Sequence, residues 1–99
     1  MAVQAEKWIE LIRVRSSEAT LAEAMPTLET SVRDVESGLT QGETFFLKHA
    51  LYDGDLAVVL VWTNGAPAEK SREGLLLAEQ LGQLGSVDHA VWIPTHKEG

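Results

Sequence analysis

The chain has 99 residues, 44% of them hydrophobic and 23% charged, a formal net charge of −7 and no cysteine. That length predicts one small domain over residues 1–99, too apolar for a disordered segment. The acidic balance argues against a phosphate backbone or an anionic membrane as partner, and the missing thiols exclude disulfides and thiolate metal sites.

The segment around Lys7 and Trp8 lacks the apolar core of a signal peptide, and the longest apolar run is far below the roughly 20 residues of a membrane span. A cytoplasmic protein with no nucleic-acid or membrane partner is expected. Trp8 to Arg15, "WIELIRVR", reads as strand 1 and stops at Ser16-Ser17. A helix follows, with Ser17 as N-cap and Glu18 in the first turn. Its stripe of Leu21, Met25, Leu28, Val32 and Val35 steps by 4, 3, 4 and 3, which holds one helix face. Pro26 lies inside that stripe without breaking its phase, so one bent helix is expected, with Gly38 closing it.

"FFLKHALYDGDLAVVLVW" reads as two strands around a two-residue turn at Asp53-Gly54. That turn pairs Tyr52 with Asp55, Lys48 with Val59 and Phe45 with Trp62. "TNGAPAEKS" reads as a loop, with a helical turn after Pro67 as one reading. A second helix is predicted from Ser71 to Leu84, with Leu77, Leu81 and Leu84 on one face. Gly74, Ala78, Gly82 and Gly85 lie beside them; these small residues mark either a frayed helix or a close approach to neighbouring backbone. "VDHAVWI", Val87 to Ile93, is strand 4, stopped by Pro94.

The order βαββαβ is the split βαβ or ferredoxin-like arrangement, α+β in class: a four-stranded antiparallel sheet in the order 4-1-3-2. Right-handed crossovers put both helices on one face of it. The other face, roughly 500 Å² for four strands about 4.8 Å apart, is left bare. The two-residue turn assigns Phe45, Leu47, His49, Leu56, Val58 and Leu60 to the helix side. It assigns Phe46, Lys48, Tyr52, Val59 and Val61 to the bare side. Strand 4 adds Asp88 and Trp92 to the bare side, and strand 1 adds Arg13 and Arg15. A face this apolar needs a cover, and a second copy of the sheet is the expected one.

These stretches give the chain its resemblance to a known family: "WIELIRVR" with the long helix after it, Gly42 before strand 2, "LAVVLVW" ending on Trp62, and "VDHAVWIP". It resembles the dimeric α+β barrel superfamily, and within it the antibiotic-biosynthesis-monooxygenase-like domains. The resemblance implies a homodimer whose two sheets face each other, with a ligand cavity in each subunit. It includes cofactor-independent oxygenases of aromatic polyketides or quinols, and haem-degrading enzymes. In the latter a histidine on the second helix holds the iron; "APAEKSREGLLLAEQL" has none, so neither haem nor another cofactor is expected.

The candidate site is the mixed bare face. Arg13 and Lys48 have the charge to bind a carboxylate or stabilise an enolate, and Tyr52 can donate a hydrogen bond, so these three are the candidate catalytic groups. Phe46, Val59, Val61, Asp88 and Trp92 are the candidate ligand-binding residues. Cross-strand salt bridging at a dimer seam accounts for the same charges. His49 and His89 read as hydrogen-bonded structural histidines on opposite edges, His96 as solvated, and Asp53-Gly54-Asp55 as a turn rather than a calcium loop. No metal site is expected. Three functions remain: a cofactor-independent monooxygenase or isomerase acting on a small apolar or aromatic molecule, a non-catalytic binding or regulatory module with the same cavity, and a structural dimer with a filled interface.

Overall fold

The computed structural model describes residues 8–38, 42–62 and 70–93. The helical turn expected after Pro67 and the tail that carries Pro94 and His96 lie outside them. The elements are β1 (Trp8–Arg15), α1 (Glu18–Gly38), β2 (Gly42–Lys48), β3 (Asp55–Trp62), α2 (Arg72–Gly82) and β4 (Ser86–Trp92). They form one antiparallel sheet in the order β2-β3-β1-β4, which is the expected order read from the other edge. No helix among the described residues is long and apolar enough to cross a membrane.

α1 starts where Ser17 caps it: the Thr20 N–H donates to Ser17 Oγ at 3.1 Å. It runs as one helix of 21 residues through Pro26. Leu21, Leu28 and Val32 of its stripe are buried, with Met25 and Val35 packed at the margin. α2 is capped by Ser71, whose Oγ accepts the Gly74 N–H at 2.9 Å, and it buries Leu77 and Leu81. Both helices meet Ile12, Val14, Leu56, Val58 and Leu60 in one core, so both cover the same sheet face. Five of the largest fully buried side chains are Ile12, Leu28, Leu60, Leu77 and Leu81, each contributing about 1.5–3 kcal/mol by leaving water.

The hairpin departs from the two-residue turn. Phe46 opposes Val58 and Lys48 opposes Leu56, a slip of three residues from the expected pairing. A slip by an odd number exchanges the two faces. Phe46 and Lys48 therefore point to the helix side of β2, and Phe45 and Leu47 to the bare side. The turn at Asp53-Gly54 does form, with the Asp55 N–H on the Tyr52 carbonyl at 3.2 Å. The His49 N–H still reaches the Asp55 carbonyl at 3.3 Å, and residues 50–52 then leave the ladder instead of extending it. His49 Nδ1 accepts the N–H groups of Leu51 at 3.0 Å and Tyr52 at 3.2 Å, giving them the partners a strand would otherwise supply. Gly54 docks on the β1–α1 corner: its carbonyl accepts the Ser16 N–H at 2.7 Å, and a Cβ there would stand 2.7 Å from the Ser16 oxygen. A wider loop, anchored at His49 and Gly54, thus sets the register.

β1, β3 and β4 keep their expected faces. Arg13 opposes Ala57 on one side and Asp88 on the other, and Leu11 opposes Val59 and Ala90.

Candidate functional site

Several places among the described residues combine polar groups with apolar surroundings, and three of them bear on function. The first is a buried polar cluster on the helix side. Alternation along β1 sends Glu10 into the core with Trp8, Ile12 and Val14, and its side chain is fully buried. Its carboxylate receives three donors. The indole Nε1–H of Trp62 reaches Oε1 at 2.8 Å. The backbone N–H of Ser71 and His89 Nε2 reach Oε2 at 3.0 and 2.9 Å. An ionised carboxylate only accepts, so three converging donors suit it and no amide. Gly74, on the first turn of α2, lies directly over it; a Cβ there would run into Glu10 Oε2 and come within 3.1 Å of His89 Cε1. The glycine is a close approach rather than a frayed helix, while Gly82, with only Val87 Cγ2 at 3.9 Å, has room to spare. Trp8 stacks on Trp62 with ring centroids 5.4 Å apart. The cluster ties β1, β3, β4 and the start of α2 together. Its carboxylate has no exposed surface from which to reach a substrate.

The second place is the open sheet face. Ile9, Leu11, Val59, Val61 and Ala90 form its middle, with Phe45, Leu47 and Trp92 standing 47%, 50% and 58% exposed around them. Arg13 and Asp88 face each other across β1 and β4 on this side. A depression of about 240 Å³ lies where Leu11, Arg13, Leu47 and Ala57 meet.

The third is a groove of about 350 Å³ between the first two turns of α1 and the strands β2 and β3. Its apolar wall is Leu21, Ala22, Met25, Phe46 and Leu56, and its polar residues are Glu18, Lys48, Asp53 and Asp55. Lys48 Nζ lies 3.4 Å from Asp53 Oδ1, both largely exposed. Asp55 is buried and lies 3.5 Å from Arg15 Nε.

The eight candidate residues are therefore divided. Arg13, Val59, Val61, Asp88 and Trp92 share the open face. Phe46 and Lys48 line the groove on the opposite side. Tyr52 sits in the loop, exposed, its ring 4.8 Å from that of His49. Glu10 was the residue to notice: it shares parity with Trp8, Ile12 and Val14, so strict alternation alone places a charge on an apolar face. His89 is hydrogen-bonded and core-facing, as its strand parity implies. Among the described residues no three His, Asp or Glu side chains converge as a metal site would require.

The geometry defines a class, a ferredoxin-like α+β domain with both helices on one side of its sheet and an open apolar face on the other. No protein-family model and no curated protein matches the chain in sequence; the likeness is to solved structures. A candidate antibiotic biosynthesis monooxygenase from Nitrosomonas europaea superposes with a TM-score of 0.67 at 6% identity, with 100% of both chains covered. Rv0793 from Mycobacterium tuberculosis gives 0.66 at 13% identity, covering 94% of this chain and 99% of that one. SnoaB, a cofactor-independent oxygenase from Streptomyces nogalater, gives 0.57 at 16% identity, covering 94% and 97%. The fold is that of antibiotic-biosynthesis-monooxygenase-like domains.

Proposed function

We propose that the chain works as a homodimer joined through its open sheet faces, and that each subunit holds one small apolar or aromatic molecule in the groove beside α1, as a cofactor-independent oxygenase or isomerase. The observation that carries the reading is the open face: Phe45, Leu47 and Trp92 are half exposed on a sheet whose other side is covered by both helices. A contiguous apolar face of this kind marks an interaction site. The groove volume falls at the lower end of small-molecule sites. For catalysis, the groove offers Lys48 to receive an oxyanion and Asp53 beside it to accept a proton, the two roles that oxygen chemistry without a cofactor asks of a protein.

One observation favours the non-catalytic form of this reading, a binding or regulatory module. The best-shielded carboxylate, Glu10, has its oxygens taken by Trp62, Ser71 and His89 and does not line the groove. Light scattering on the purified chain tests the dimer: a mass of twice 10.8 kDa is expected, and a monomer at micromolar concentration overturns it. Oxygen uptake with a panel of quinols and polyphenols then separates catalyst from binder. Turnover lost in Lys48→Met supports the enzyme, whereas binding without turnover supports the module.

A further inference from the structure

The groove carries more than its volume. Its wall is apolar, yet the charged side chains that line it among the described residues are unequal in sign: Glu18 and Asp53 against Lys48, with Asp55 already paired to Arg15. Lys48 is weakly held. Its contact with Asp53 is 3.4 Å long between side chains 70% and 54% exposed, and such surface pairs contribute little. The partial positive charge at the start of α1 does not reverse this balance. Ser17 takes up the Thr20 N–H, and Glu18 stands in the first turn, where a carboxylate offsets the helix dipole. Low-dielectric walls concentrate the field of the charges beside them. Phe46, in the same wall, adds a ring face that attracts a cation.

We infer that the groove selects a molecule with an apolar, ring-sized body and a positively charged amine, the ring packed against Leu21, Met25, Phe46 and Leu56 and the ammonium set beside Asp53 and Glu18. The incoming molecule is a hydrophobic amine rather than a carboxylate; before reaction Lys48 competes with its ammonium for Asp53, and displaced from Asp53 it is free to receive an oxyanion formed on the substrate. This assignment rests on the groove being the ligand site proposed above.

The test is titration calorimetry with three probes of one shape: phenethylamine, 2-phenylethanol and 3-phenylpropionate. The expected order is amine at least tenfold tighter than alcohol, and the acid weakest. Asp53→Asn is expected to weaken the amine several-fold and Lys48→Met to tighten it. Both residues are exposed, so the variants fold, and a thermal melt checks this. Ala22→Trp, which fills the groove from the exposed side of α1, is expected to abolish binding of all three. Equal affinity for amine and alcohol, or tighter binding of the acid, overturns the charge assignment while leaving the groove as a site. Binding that survives Ala22→Trp, or no binding of any probe, overturns both.

Discussion

The indole Nε1–H of Trp62 donates to Glu10 Oε1 at 2.8 Å, joining the last residue of β3 to the third residue of the strand beside it. The same carboxylate holds the backbone of Ser71 and the ring of His89. A single buried carboxyl group thus closes one end of the domain, where α2 begins.

Glu10→Ala removes the shared acceptor and leaves an indole N–H, an amide N–H and an imidazole N–H buried without it. A loss of about 3–5 kcal/mol is expected, the cost of breaking a buried pair from one side. Urea unfolding followed by fluorescence measures it. A loss below about 1 kcal/mol, the net value of one ordinary hydrogen bond, would show that water replaces the carboxylate and that the cluster is not what closes this end.

Two glycines of α2 should respond in opposite directions. Gly74→Ala drives a methyl into the Glu10 carboxylate, and overpacking of this kind costs about 1–3 kcal/mol. Gly82→Ala meets only Val87 at 3.9 Å and should gain up to about 1 kcal/mol from helix propensity. Thermal melts of the two variants decide; matching signs would mean that the fit of α2 over Glu10 is looser than the distances indicate.

Leu47 and Leu76 are equally exposed, at 50% and 53%, but Leu47 lies on the open sheet face and Leu76 on α2. If the sheet face is the dimer interface, Leu47→Asp should weaken association by about 3 kcal/mol, roughly a hundredfold in Kd. Leu76→Asp should leave it unchanged. Sedimentation equilibrium reads both, and dissociation by Leu76→Asp alone would move the interface to the helices.

His49→Ala takes away the acceptor of the Leu51 and Tyr52 N–H groups. Amide exchange over residues 50–54 should speed up by tenfold or more, with a stability loss of about 1–2 kcal/mol for two exposed hydrogen bonds. Unchanged exchange would mean that the Gly54–Ser16 contact alone holds the loop and sets the register of β2.

The element order, the strand order and the core stripe of α1 were legible in the residues, because they depend on local signals: the period of two in "WIELIRVR", the 4-3-4-3 spacing from Leu21 to Val35, and the cap at Ser17. So was the apolar character of the open face on β1, β3 and β4. Tertiary structure alone decided which side chains of β2 belong to that face. The register of β2 depends on how His49 and Gly54 are held in space, and with a side-chain period of two a slip of three residues moves Phe46 and Lys48 through the sheet. It also decided that Glu10, a charge inside a strand, finds its partners 52, 61 and 79 residues along the chain. Contacts at that separation leave no periodic trace, since they exist only once the helix and the three strands have packed.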